Sequence, residues 1–260
     1  MKSISFPLAF LSLSTVLLSS CSLWKKEEPA LSTSSVIERP ETVASKSIGH
    51  IQPEVKLPIT KILEFDVDPA RTTGRISLAI DPKGSVLGVR KAHADAPLKG
   101  TMKVKLIEDP NTGKTTMAIL DMHLTNTRAY DMNFAWGGLV GSMNVNIATG
   151  VLKIVPNDFS STGILGTDKK FNLPRCYFTV LGHSQVKGKG LVLKKAVGNK
   201  KVNLTMKKTE PVDLKGSIDI QNGTGTLHIP SAVLRDHFDL DGTQLDLVFT
   251  ADITATAQNL

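Results

Sequence analysis

Residues 244–255 alternate almost without fault. Leu245, Leu247, Phe249, Ala251, Ile253 and Ala255 fall on one face. Gln244, Asp246, Thr250, Asp252 and Thr254 fall on the other, where only Val248 is apolar. A side-chain period of two belongs to an extended chain with one dry face and one wet face, as in an antiparallel sheet. The period recurs in Met102, Val104 and Leu106 against Lys103 and Lys105. It recurs in Ala118, Leu120, Met122 and Leu124 against Ile119, Asp121 and His123, and in Val202, Leu204 and Met206 against Lys201, Asn203, Thr205 and Lys207. A chain of half-apolar strands must close on itself or stack two sheets, because open edges pair with other chains.

The turn chemistry agrees. Asn222-Gly223 separates Ile218-Asp219-Ile220 from Thr226-Leu227-His228-Ile229, and two residues that tolerate positive φ make the tightest hairpin turn. Asp81-Pro82-Lys83-Gly84, Asp109-Pro110-Asn111-Thr112-Gly113 and Gly198-Asn199 mark further reversals. The expected fold is all-β, an antiparallel meander closing into a barrel over residues 58–260. One short helix is expected before the last strand, at 231–238, with Ser231 as N-cap after Pro230. Residues 137–170, with Gly137-Gly138, Gly163 and Gly166, read as an irregular excursion or lid.

The first residues speak for export. Lys2 is a short positive segment, Phe6 to Leu18 is apolar over the length of a signal peptide, and Ser19-Ser20-Cys21 follows. Leu18-Ser19-Ser20-Cys21 is similar to the lipobox of bacterial lipoproteins. That resemblance implies a signal peptide over 1–20 and acylation of Cys21 (palmitate and related chains), which anchors the protein in a membrane. One acyl chain anchors marginally and firm attachment takes a second signal; lipoproteins of this type carry several chains. An Asp after the cysteine favours the inner membrane in Gram-negative sorting, so Ser22 points to the outer membrane, facing the periplasm. Residues 21–57 are rich in Ser, Thr, Pro, Glu and Lys without any apolar period, and read as a flexible tether. Such a chain has an r.m.s. span of about 30–35 Å. With the signal removed, Cys176 has no partner thiol, and Tyr177 and Phe178 beside it suit a buried cysteine.

The net charge of +7 is uneven. Residues 169–208 hold eleven Lys and Arg and no acidic residue, while 209–260 hold eight acidic and two basic residues. Lys194-Lys195 and Lys200-Lys201 flank a turn at 196–199, which places a positive tip at one end of the sheet. Anionic head groups are one partner for it, and a merely solubilising role is the other reading. Nucleic acid is not expected as a partner, because the compartment is an exported one and residues 187–208 of the basic block hold no stacking aromatic of the kind single-strand binders use.

Motifs for chemistry are weak. His237-Phe238-Asp239-Leu240-Asp241-Gly242 departs from a calcium loop at its first position, and Val248 stands where the closing acid belongs. Asp121 and His123 share a strand face, and His183 and His228 also lie on polar faces. No nucleophile elbow, zinc helix motif or phosphate-binding glycine loop occurs. No catalytic residue, metal ligand or cofactor is assigned. The aromatics are more suggestive: Tyr130, Phe134 and Trp136 cluster, as do Phe171, Tyr177 and Phe178. Such clusters either line a pocket mouth or close a barrel end.

Three blocks, in order, resemble YceI-like proteins. The first is Glu64-Phe65-Asp66-Val67-Asp68-Pro69-Ala70 leading to Ile76-Ser77-Leu78, with Arg71 and Thr72 where that family usually has His and Ser. The second runs from Gly100-Thr101-Met102 through Asp109-Pro110 to Thr125-Asn126-Thr127. The third joins Tyr177-Phe178-Thr179-Val180 to Asn203-Leu204-Thr205-Met206 and Thr209-Glu210-Pro211-Val212, without the usual Gly. The resemblance implies a lipocalin-like barrel that holds an isoprenoid or other apolar lipid. Candidate lining residues are Leu120, Met122, Phe134, Trp136, Tyr177, Phe178, Met206 and Phe249. Three readings follow: a lipid-binding lipoprotein, a non-catalytic envelope module acting through its surface, and a hydrolase built from convergent His and Asp residues.

Overall fold

The alternation folds into strands as far as the computed structural model describes the chain, which is residues 55–82, 87–157, 160–205, 210–240 and 243–258. The signal segment, Cys21, most of the tether and Met206 lie outside the described residues. In chain order the elements are β1 (Ile59–Val67), β2 (Thr73–Pro82), β3 (Arg90–Asp109), β4 (Lys114–Asn126), β5 (Tyr130–Gly137), β6 (Gly141–Ile147), β7 (Lys153–Pro156) and β8 (Thr162–Leu165). There follow β9 (Lys170–Cys176), β10 (Phe178–Leu181), β11 (His183–Lys189), α1 (Leu191–Ala196), β12 (Asn199–Asn203), β13 (Val212–Gln221), β14 (Thr224–Leu240) and β15 (Thr243–Gln258).

Eleven of these strands make an eight-stranded antiparallel barrel, because three barrel strands are each broken once. β1 and β2 run end to end between β3 and β15: Val67 pairs with Gly100, and Thr73 pairs with Pro97. β7 and β8 both pair with β4, and β10 pairs with β7 while β9 pairs with β13. The ring therefore runs β1/β2, β3, β4, β7/β8, β9/β10, β13, β14, β15 and back to β1/β2. This is up-and-down order, and it removes the open edges. β5, β6, β11 and β12 leave the ring as a second antiparallel sheet, ordered β12-β11-β6-β5.

Side chains compensate for the break between β1 and β2 and for the departure of β4 from the ring. Between β1 and β2, the Asp68 carboxylate accepts the Ala70 backbone N–H at 2.9 Å and the Arg71 Nε at 2.7 Å, which bends the chain and holds this carboxyl below its ordinary pKa. The fully buried Thr72 hydroxyl then takes the place of a missing backbone partner on β15. It donates to the Thr254 carbonyl and accepts the Thr254 N–H, both at 3.0 Å. Asn126 does comparable work where β4 leaves the ring. Its buried amide donates to the carbonyls of Arg128 (2.7 Å) and Ala148 (2.9 Å) and accepts the Leu152 N–H (3.1 Å). One side chain thus ties the exit to β5 to the return from β6.

One apolar core serves barrel and second sheet alike. Phe65, Ile76, Leu98, Met102, Leu227 and Ala255 from the barrel and Tyr130, Met132, Phe134 and Ile147 from the second sheet all belong to it. Tyr130 lies over Gly74, where an added methyl would stand 2.7 Å from the tyrosine oxygen and 3.0 Å from Leu98 and Phe249. The hydroxyl has no hydrogen-bond partner among the described residues, and burial foremost pushes its ionisation to higher pH.

The Asn222-Gly223 turn has φ of 50° and 77°, as its sequence requires, and Asp109 closes the β3–β4 turn by accepting from Asn111 N–H and the Thr112 hydroxyl. Three expectations need correction. One short helix does precede the last strand, but it is Leu191–Ala196. Residues 231–238 belong to β14 instead. Ser231 has φ 53° and sits in a bulge between Ile229 and Ala232, and the following residues pair with β15. Proline is tolerated at such a bulge, so Pro230 marks a kink in a strand and no helix start. Residues 137–170 are no lid, since β6, β7 and β8 lie within them; Met143, Val145 and Ile147 point inward between Ser and Asn residues. In β4 the alternation slips by one. Ile119 pairs with Val104 but Asp121 with Lys103, which leaves Leu120 as the extra, half-buried residue of a bulge.

Two substitutions separate these polar contacts. Asn126→Ala removes three buried hydrogen bonds and strands their backbone partners, so denaturant unfolding is expected to show a loss of about 2–4 kcal/mol. Tyr130→Phe removes a hydroxyl that has no partner, and the same measurement is expected to show no loss or a gain of up to ~1 kcal/mol.

Candidate functional site

The barrel interior is the first place to look, because its residues alternate in and out and the inward ones could surround a ligand. They fill it instead. Met122, Phe178 and Phe249 converge with Ile154, Leu214 and Leu234 on a cavity of about 20 Å³. A second cavity, bounded by Ile119, Leu173, Cys176, Tyr177 and Phe178, measures about 10 Å³. Such volumes hold about one water, whereas small-molecule pockets run to roughly 300–1,000 Å³. The breaks in β7/β8 and β9/β10 bring bulky residues into the ring, and Phe178 shares both cavities.

The seven described candidate lining residues do not gather at one site. Met122, Phe178 and Phe249 share the larger cavity, and Tyr177 borders the smaller one. Leu120 stands at the β4 bulge. Phe134 is buried in the second sheet and stacks on Trp136, with ring centroids 6.5 Å apart. Trp136 is half-buried, its indole N–H donating to the Gly88 carbonyl at 3.2 Å. The two aromatic clusters are adjacent in composition but sit on different sheets. Cys176 is buried, its thiol 3.5 Å from the Leu173 carbonyl.

Three histidines form separate pairs on the outer face. His123 Nε2 lies 3.2 Å from Asp121 Oδ1, His228 Nε2 lies 3.0 Å from Asp252 Oδ1, and His237 Nδ1 lies 2.7 Å from Asp246 Oδ1. Every member of these pairs is substantially exposed. Strand pairing explains two of them: β14 and β15 bring His237 directly opposite Asp246, and His228 diagonal to Asp252. No group of three potential metal ligands occurs among the described residues. A convergent His/Asp centre in a cleft is not what these strands build.

The basic block is where charge and exposure meet. β11 pairs with β12 as expected of a hairpin, but α1 forms the connection and carries Lys194 and Lys195 in its last turn. Lys200 and Lys201 follow on the exposed edge strand β12. None of Lys187, Lys189, Lys194, Lys195, Lys200 and Lys201 forms an ion pair among the described residues, whereas Lys169 is 2.6 Å from Asp219 and Lys170 is 3.2 Å from Asp168. The lysine positions were legible in the sequence. The exposed Leu139, Leu191 and Val192 beside them were not, because aliphatic residues next to glycine read equally well as core. Comparison with protein-family models, with characterised proteins and with solved structures finds no match to this chain.

The His237 pair yields a pH test. The hydrogen bond to Asp246 foremost raises the His237 pKa above its ordinary 6.5. A raised folded-state pKa stabilises the fold fully below pH 6.5, and that contribution is lost as pH rises through the raised value. NMR titration is expected to place the His237 imidazole midpoint above 6.5 and to bring it down in Asp246→Asn.

Proposed function

We propose that this is a lipid-anchored bacterial envelope protein whose barrel is a filled, non-catalytic scaffold and which acts through its surface. The observation that carries the reading is the interior: apolar side chains occupy it and leave a cavity of about 20 Å³. The anchor is Cys21 at the end of a lipobox-like segment, with Ser22 favouring the outer membrane and the periplasmic side. The YceI-like reading is in keeping with the eight-stranded antiparallel barrel, the fold class that the resemblance implies.

The carrier reading keeps one observation on its side. Met122, Phe178 and Phe249 converge on a wholly apolar cavity. An isoprenoid or acyl chain would require a far larger space, opened by parting the short β7–β10 ladder of four residue pairs. Burial of such a chain would be driven at about 25 cal/mol per Å², against the cost of separating packed strands.

Two measurements test the proposal. Cells fed labelled palmitate are expected to label the wild-type chain and not Cys21→Ala; an unlabelled wild-type chain would remove the anchor. Native mass spectrometry of the chain from Ser22, with organic extraction alongside, is expected to give the apo mass. A reproducible lipid-sized adduct released on denaturation would restore the carrier reading.

A further inference from the structure

We propose that the tip formed by the β5–β6 turn and the start of α1 is a membrane-docking site for anionic bilayers. Leu139, Leu191 and Val192 enter the interfacial layer there, and Lys189, Lys194 and Lys195 rest on the head groups. The inference rests on the proposed membrane anchor for its setting, but not on the filled barrel.

The three apolar residues are 77%, 75% and 43% exposed. A single exposed leucine is ordinary. These three come from two separate loops that the backbone stitches together. The Leu139 carbonyl accepts the Leu191 N–H at 3.2 Å and the Val192 N–H at 3.4 Å, and the Val140 carbonyl accepts the Leu193 N–H at 3.2 Å. Gly141 and Gly190 let the loops touch: a methyl at Gly141 would stand 1.9 Å from the Lys189 carbonyl oxygen, and one at Gly190 would stand 2.5 Å from Gly141 Cα. Both glycines have positive φ, 99° and 89°. Leu193, buried beneath, roots the tip in the core. The aliphatic residues are thus held outward on a fixed platform.

The charge around the platform fits one kind of partner. Lys189 precedes Gly190, and Lys194 and Lys195 rim an open depression with Gly190 and Leu191. No acidic residue occurs anywhere between Lys169 and Lys208. Protein interfaces are depleted in lysine and seek aromatic anchors in pockets. Exposed aliphatic residues flanked by lysines that form no ion pair among the described residues are instead an arrangement that an anionic bilayer accommodates, with aliphatic groups at the acyl boundary and ammonium groups at the phosphates.

The test uses the chain from Ser22 to Leu260, which lacks the acyl group, and sedimentation with vesicles of phosphatidylcholine alone or with about 30% phosphatidylglycerol, whose negative surface attracts basic segments. The wild-type chain is expected to sediment with the mixed vesicles and to stay in solution with the neutral ones. Each lysine near such a surface is worth about fivefold in partitioning, so Lys194→Glu with Lys195→Glu is expected to lower binding at least ~10-fold. Leu139→Gln with Leu191→Gln is expected to lower it at least ~10-fold as well. Both pairs are on exposed side chains, and unchanged circular dichroism confirms the fold. Wild-type chain that ignores the mixed vesicles overturns the proposal. Binding that needs the lysines but not the two leucines overturns the insertion, leaving only charge attraction. Palmitate labelling reads the anchor separately, so a labelled protein whose unacylated form ignores vesicles loses the docking site and keeps the anchor.

Discussion

The buried amide of Asn126 is the constraint on which the two-sheet arrangement depends. A strand leaving a closed barrel exposes backbone groups at the point of departure, and each one buried without a partner costs about 1–3 kcal/mol. Asn126 meets that demand on both sides of the excursion, through Arg128 on the way out and Ala148 and Leu152 on the way back. Its own backbone carbonyl accepts the Gly150 N–H at 2.9 Å. The second sheet is therefore fastened at its root by one side chain, and its apolar face is free to join the barrel core through Tyr130, Met132 and Phe134.

The broken strands follow the same logic. A long strand that is interrupted needs something to occupy the unpaired ladder positions, and the Thr72 hydroxyl does so against Thr254. Interruptions also let the barrel narrow. Ile154 and Phe178 enter from short strands on one side of the ring, opposite Phe249 and Ala251, and little room is left between them. The surface of this barrel is unequally furnished. The outer face of β14 and β15 holds His–Asp pairs, whereas the end of the second sheet holds exposed aliphatic residues and lysines without an ion pair among the described residues.

Much of the fold was legible. Period two gave away the strands, and Asn222-Gly223 and Asp109–Gly113 placed their turns through conformations that few residues tolerate. The helix was misplaced because Pro230-Ser231 carries the same local signal at a strand bulge as at a helix start, and only pairing with β15 separates the two. Leu120 was assigned to the wrong face because a bulge in β4 shifts every residue before it by one. The candidate site was legible in its charge and not in its geometry: the lysine run is a matter of counting, but its neighbour Leu139 lies about fifty residues away in the chain.

The sequence by itself determined the class of element, the positions of the tight turns and the segregation of charge, because these follow from local side-chain alternation and backbone preference. Only the tertiary structure decided that three barrel strands would be broken, that Phe134 and Phe178 would part company, and that the barrel would be full. Those outcomes depend on which strand lies beside which, and on the volume left when inward side chains from eight strands meet. Whether Leu139 and Leu191 share a surface is likewise a question of two backbones touching at Gly141 and Gly190, and no pattern along one chain records that contact.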